Sequence, residues 1–475
     1  MKKIIYSLLV IITFSSCEKI LDKDPTDQLS IEDLFKDVAG SKTALAGAYS
    51  NLLSTDHYQT KTMIFPELLS GNLKYSKESA VILSDVYNAI QNPTESSMSD
   101  TYTKLYSELN NVNNVIQYTP QASGSETDRI KIVAEAKSIR ALIHFDLLRI
   151  FARPYNYQSE NTLPGIALVM KPQLYSDASP QRSSIEECYQ TIITDLTEAI
   201  TAFDATEAPA LTSTYKQHFF TKSSAQALLA KVYLYANKWD LAFSLSDALI
   251  KSGKYTLLSN ANYVASWTGK IPSSESILEL AIESAFSGNS LGTYYDVTNT
   301  SYRQFAATND ILNLYSTTDV RSRTSLFNLL AISGTNYYFT KKYATGGTSA
   351  TPVKILRLSE LYLIRAEAAA EKTTTDFVQA NADLNAIRKR ADASATTLNL
   401  TNKTDLINSI LLERRKELAF EGNFLFDLAR RKKDVERVDV TSTVKNFTYT
   451  DYRLVMPIPI TTINVNTKMV QNEGY

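Results

Sequence analysis

Apolar residues recur at three- and four-residue steps over much of this chain, the spacing that gathers them on one face of an α-helix. Between positions 134 and 151, Ile139, Leu142, Ile143, Leu147, Ile150 and Phe151 form such a stripe, which Phe145 and Leu148 widen. That helix is therefore predicted to be buried on more than one side, with Glu135, Arg140 and Arg149 as paired structural charges. Residues 223–251 read as two antiparallel helices, 225–235 and 241–250, turning at Asn237-Lys238. Small Ala230 and Ala242 would let the two approach closely, while Tyr233 and Trp239 fill the remaining space, as in a tetratricopeptide unit. A second pair is predicted over 356–390, with Ala380, Leu384 and Ile387 on one face, and a third joins 185–203 to 222–236. The period is irregular. The expected fold is mostly α: a tetratricopeptide-like helical-repeat scaffold with a large irregular, loop-rich region and few short strands.

Two stretches break the helical pattern. Residues 252–352 are rich in Ser, Thr, Gly, Asn and Tyr and have weak periodicity. Residues 440–475 read as extended, because Arg453-Leu-Val-Met456 runs into Pro457-Ile-Pro459, which cannot be helix interior. With 44% hydrophobic residues the chain can bury a sizeable core, which excludes a disordered polypeptide. The expected organisation is a single body, 31–475, with helices at about 31–251 and 353–435, a variable region at about 252–352 and a tail at 440–475.

The front end has a different character. Lys2 and Lys3 precede an apolar run, Ile4 to Phe14, too short to span a bilayer; Ser15 and Ser16 then lead to Cys17. This order resembles a lipoprotein signal, with Phe14 where leucine is usual; an ordinary secretory signal is the alternative. Residues 1–16 would be removed, Cys17 acylated, and the polar stretch 17–30 would serve as a tether. Two or more acyl chains hold a protein durably on a membrane. Cys188 is then the sole remaining thiol, and its place in a helical pattern marks it as a small core residue. Forty-nine Lys and Arg against 50 Asp and Glu give no field to recruit nucleic acid. Only three histidines (His57, His144 and His218) leave little for a zinc site or a Ser–His–Asp triad.

Four stretches near the C-terminus bring a family into view. They are Val353-Lys-Ile-Leu-Arg-Leu-Ser-Glu-Leu-Tyr-Leu-Ile-Arg-Ala-Glu-Ala368, Leu384-Asn-Ala-Ile-Arg-Lys-Arg-Ala391, and Ile410-Leu-Leu-Glu-Arg-Arg-Lys-Glu-Leu-Ala-Phe-Glu-Gly422 with Asp427-Leu-Ala-Arg430. The fourth is Met456-Pro-Ile-Pro459 with Gln471-Asn-Glu-Gly-Tyr475. In this order, behind the lipoprotein signal and the 135–151 helix, they resemble the SusD/RagB family of outer-membrane nutrient-binding lipoproteins. Glu473 departs from the proline usual there. The resemblance implies a non-catalytic protein on the surface of a Gram-negative cell. It would capture oligosaccharide and act as a lid on a TonB-dependent transporter of the SusC type. No cofactor and no nucleic acid are implied, and a structural Ca²⁺ is left open.

The motif residues themselves have structural readings. Glu413, Arg414, Glu417 and Glu421 stand at helical spacings and can pair along and between helices. Gly422 would terminate a helix, Arg430-Arg-Lys-Lys433 would close one against its dipole, and 459–475 would pack back onto the body.

Sugar capture needs flat aromatic faces for the C–H faces of sugar rings, flanked by groups that bond hydroxyls. With 28 tyrosines, the polar loops are where to look. The candidate ligand-binding residues are Asn72 and Tyr75 (beside Lys74) in 71–77, Trp267 in 262–270, Tyr294, Tyr295 and Arg303 (beside Tyr302) in 288–305, and Tyr337 (beside Tyr338, Phe339 and Tyr343) in 333–347. For any single aromatic, core packing competes with this reading. A glycosidase would need two carboxylates, but among 50 acidic residues a pair can always be found, so none is singled out. Two other readings are peptide cargo, and a scaffold that makes protein contacts only.

Overall fold

The helices begin where short polar side chains can cap them. Asp37, Ser184, Thr221, Asp376 and Asn402 each accept a hydrogen bond from a backbone N–H one turn in, and Ser184 with Glu187 closes a full capping box. This computed structural model describes residues 30–76, 81–159, 161–174, 177, 179–203, 207–281, 291–343 and 352–475. The leader, Cys17 and the tether up to position 29 lie outside these residues, as do positions 77, 288–290 and 344–347 of the three candidate loops.

The longer helices are α1 (Val38–Leu52), α2 (Lys61–Leu69), α3 (Ser99–Tyr118), α4 (Glu126–Phe151), α5 (Ile185–Ala202), α6 (Lys222–Tyr235), α7 (Trp239–Lys251), α8 (Leu358–Glu371), α9 (Phe377–Ala391), α10 (Lys403–Glu417) and α11 (Phe424–Arg430). They form a row in which α3 packs on α4, α4 on α5, α5 on α6, α6 on α7, α7 on α8, and α8 on α9 and α10. The three expected pairs are all present. Helix α4 is buried nearly all round from Ile139 to Phe151, as its broad stripe predicts. Its charges are paired: Arg140 grips Asp195 (2.6 and 2.8 Å) and Asn113, Arg149 reaches Asp146, and Glu135 accepts from the Tyr49 hydroxyl at 2.6 Å. Alanines 366, 369, 370 and 380 bring α8 and α9 together around Leu384, Leu406 and Ile410, the small-residue logic of helical repeats.

The row is continuous across the long irregular region, since α7 and α8 are neighbours in space although 106 positions apart in the chain (252–357). What gathers the ends of that excursion is a two-stranded stem, β2 (Ser276–Leu280) antiparallel to β6 (Val353–Arg357). Residues 356–357, read as the start of a helix, therefore belong to a strand. Within the excursion, β4 (Phe327–Ile332) and β5 (Thr335–Thr340) form a hairpin around Ser333-Gly334. Both turn residues have positive φ (48° and 80°), as a two-residue hairpin turn requires. The N-terminal half contributes β1 (Leu73–Tyr75), which pairs with β3 (Phe305–Ala307) and so ties the excursion to the helices. One more two-residue pair joins β7 (Val435–Glu436) to β8 (Asn446–Phe447).

Two details differ from expectation. The tail is not extended throughout: Pro459 presets the backbone for a helix over Ile460–Val465, and a 3₁₀ turn spans Tyr452–Leu454. It does pack back, through Asn472 to the Phe151 and Met456 carbonyls (2.9 and 2.8 Å) and Tyr475 to the Val455 carbonyl. Gly422 has the positive φ expected (70°), but α10 ends earlier, at Glu417. Its role is a close approach: a Cβ there would meet the Thr62 carbonyl oxygen at 3.0 Å, and its N–H donates to Glu67 at 3.0 Å. Cys188 is wholly buried against Gly165, and burial pushes its thiol up to about 11, so it is an inert core residue as read from its sequence context.

Candidate functional site

The sequence-selected aromatics divide into an interior group and a more accessible one. Trp267, Tyr294 and Tyr295 are interior, with 2%, 6% and 0% of their surface exposed. Trp267 lies under three cations: Lys342 Nζ is 4.5 Å from its ring, and Lys354 Nζ and the Arg357 guanidinium are each 5.5 Å away. Tyr343 meets Trp267 edge-on and stacks with Tyr295. These rings fill space between the stem strands and the helices, and no ring face is left for a sugar. Asn72 is also internal. Its amide donates to Glu67 (2.7 Å) and accepts from Arg415 Nε (2.9 Å), so it is a joint between α2, β1 and α10. Tyr75 is half-buried, its hydroxyl donating to the Ile82 carbonyl and its ring against Tyr87 and Phe305.

The second group, half-buried apart from the exposed Tyr302, collects around β3, which packs beside β5. Consecutive strand residues point to opposite faces, so Tyr337 and Tyr338 serve different sides of the hairpin. Tyr338 faces its cross-strand partner Leu329, which is 56% exposed, and the Arg323 guanidinium lies 5.3 Å from the Tyr338 ring. Arg323 is held by the side-chain oxygens of Asn313 (2.6 Å) and Asn309 (3.3 Å). On the other face Lys74 Nζ is 5.8 Å from the Tyr337 ring and bonds Asp439 at 2.7 Å, and Asp439 also accepts from the Asn309 N–H. Tyr302, 42% exposed, and Arg303, bonded to the Val297 carbonyl at 2.7 Å, stand at the entry to β3. Each side of the hairpin thus carries a tyrosine bordered by oriented polar or charged groups, chemistry suited to a polyhydroxylated ring. Of the residues gathered here, sequence reasoning named Tyr337 and Arg303 as candidates and Lys74, Tyr302 and Tyr338 as their neighbours. It missed Arg323, Asn309, Asn313 and Asp439, which come from outside the aromatic loops and carry no local signal.

The C-terminal motifs build something else, a buried lattice of ion pairs. Glu417 sits among three arginines: Arg321 (2.9 Å), Arg357 (2.6 Å) and Arg390. Burial alone would raise its carboxyl, but Arg390, Arg357 and Arg321 hold it well below the usual carboxylate range. Glu421 bonds Arg357 and Lys342. Arg414 spans Glu360 and Asp427 (2.7 and 2.8 Å), and Arg430 takes Glu367 and Asp427. The pairing predicted for the motif therefore runs mainly between elements, and Arg430 is a buried structural cation, not part of a phosphate site. The lattice lies at the joint of α8–α11 with the stem strands and fixes where the excursion leaves the helical row.

These features define a helical-repeat body that carries a stitched-on, aromatic-studded excursion. The family model described as "SusD family" matches residues 289–475, and the one described as "Starch-binding associating with outer membrane" matches residues 19–234. The chain belongs to the SusD/RagB-like family. It is 23% identical to SusD-like protein P38 of Formosa agariphila over 100% of this chain and 99% of that protein. It is also similar to a SusD superfamily protein of Bacteroides vulgatus in its crystal structure (27% identity, TM-score 0.83, 93% of this chain and 100% of that one). A laminarin-binding SusD-like protein shares the fold (22% identity, TM-score 0.74, 93% of this chain and 100% of that one). No described helix is long and apolar enough to cross a membrane.

Proposed function

We propose that this protein captures oligosaccharide at the cell surface and passes it to a TonB-dependent outer-membrane transporter of the SusC type, without catalysing any change in it. The observation that carries this reading is the surface of the β4–β5 hairpin, where exposed Leu329 and half-buried Tyr338 offer apolar faces beside Arg323 and two asparagines. Membership of a family with starch-binding and laminarin-binding relatives supports a glycan as the cargo. Several weak contacts over an open surface suit a long, flexible saccharide that must later be released.

Glycan-array screening followed by calorimetry on the best neutral oligosaccharide tests the site. Tyr338→Ala together with Tyr337→Ala is expected to weaken binding at least tenfold, about 1.4 kcal/mol, with the fold intact by circular dichroism. Unchanged affinity would remove the hairpin from the site, and binding to a peptide pool with none to glycans would replace the cargo. Anchoring is tested separately. Cys17→Ala is expected to move the protein from the membrane fraction to the soluble fraction, and retention through a carbonate wash would contradict a lipid anchor.

A further inference from the structure

A second recess lies on the helical body, between facing stripes of α10 and α11. Its volume is about 200 Å³, below the range of drug-sized pockets and of a size for one small ring. Leu411, Leu412 and Leu428 make its apolar wall, and Phe424 closes one end. The Arg415 guanidinium carbon lies 4.3 Å from the Phe424 ring centroid, and Lys433 and Arg431 also line the recess.

The charges here do not cancel. Asp427, the acidic residue lining the recess, is already bonded to Arg414 and Arg430, and Arg431 is taken by Glu371 at 2.7 Å. Arg415 donates from Nε to Asn72, an uncharged partner, and its buried Nη2 has no hydrogen-bond partner among the described residues. Asp310 and Glu67 act on Arg415 from the inner side only at a distance, and Glu67 is committed to Asn72, Gly422 and Asn423. Lys433 is exposed and makes no ion pair with any described residue. Two uncompensated cations thus border a partly apolar recess, and the guanidinium is held in place by Asn72 and the Phe424 ring.

We propose that this recess binds a compact carboxylate-bearing ligand of the sugar-acid class, its carboxylate on Arg415 and Lys433 and its ring against Leu411, Leu412 and Leu428. A carboxylate matches the guanidinium fork, and the apolar wall accommodates the C–H face of a ring, which a bare inorganic anion lacks. The site is distinct from the hairpin surface and does not depend on that assignment.

Calorimetry of the full mature chain with glucuronate, neutral methyl glucoside and sulfate tests it. Glucuronate is expected to bind saturably in the millimolar range or tighter, with affinity falling as salt rises, and methyl glucoside at least tenfold more weakly. Leu412→Glu, at a position 47% exposed, places a like charge on the rim and should abolish glucuronate binding, and Lys433→Met should weaken it several-fold. Neither change should move the thermal midpoint or the binding of a neutral oligosaccharide at Tyr337 and Tyr338. Equal binding of glucuronate and methyl glucoside overturns the proposal. So does sulfate binding as tightly as glucuronate, or no saturable glucuronate binding to the unaltered protein.

Discussion

Replacing Glu417 by alanine is expected to destabilise the protein by about 3–5 kcal/mol, the largest single-residue effect anticipated outside the hydrophobic core. The carboxylate is fully buried and shared by Arg321, Arg357 and Arg390, so its removal leaves three guanidinium groups competing for Glu275, Glu413, Glu421 and Asp319. Uncompensated charge in a water-free site is what makes breaking such a lattice costly, whatever its net worth when intact. Urea unfolding of the mature chain reads the effect as a lower midpoint. Glu417→Gln should fall between the two, because the amide oxygen still accepts from one arginine. A loss below about 1 kcal/mol for the alanine variant would mean that water reaches the cluster and screens it.

The second large effect is a dependence of stability on pH, set by His57. Both ring nitrogens face carboxylates, Nδ1 to Glu108 at 2.8 Å and Nε2 to Asp146 at 3.2 Å, with no exposed surface. A neutral imidazole has one N–H and would turn a lone pair toward the other carboxylate, so this geometry fits the imidazolium. Burial pulls the His57 pKa down, but Glu108 and Asp146 outweigh it and raise it from 6.5 to about 9. A group whose folded pKa is raised stabilises the fold fully below its unfolded pKa and loses that stabilisation as pH rises through the folded value. Stability should therefore decline between about pH 6.5 and 9, by on the order of 3 kcal/mol in total.

Other groups shape the same curve. Glu135, raised to about 7 by burial, adds a decline that is half complete at pH 7 and ends near pH 8. Lys342, lowered to about 8 by burial, contributes the opposite slope above pH 8. Between pH 7 and 8 the Glu135 and Lys342 contributions have opposite sign and largely offset, so His57 dominates there and a loss of about 1 kcal/mol is expected. His57→Gln should be less stable at pH 6.5 and flat over that interval. A slope in the variant equal to that of the unaltered protein would assign the effect elsewhere.

How much of this was legible in the sequence depends on the range of the interaction concerned. Helices α4, α6 and α7 are written in local periodicity, because each buries a stripe whose spacing is a property of consecutive residues. The same is true of Cys188, whose inertness follows from a small side chain in an apolar helical face. The motif glutamates and arginines were legible as structural partners, but their actual partners were not: Glu417 meets Arg321 and Arg390 from other segments. The candidate loops show the limit most plainly. Trp267, Tyr294 and Tyr295 stand in polar, weakly periodic stretches that resemble exposed loops, yet the β2–β6 stem and the β1–β3 pairing fold those stretches inward, so their rings become core. Tyr337 and Tyr338 sit on a hairpin strand packed beside β3, and both stay half-buried, with part of each side chain open to solvent.

Local order alone thus determined the helical body and the family, since each is encoded in short stretches read in sequence. The tertiary structure decided which aromatic rings meet solvent and which cations lack a partner. Both depend on residues far apart in the chain arriving at one place, and no spacing within a single segment records that.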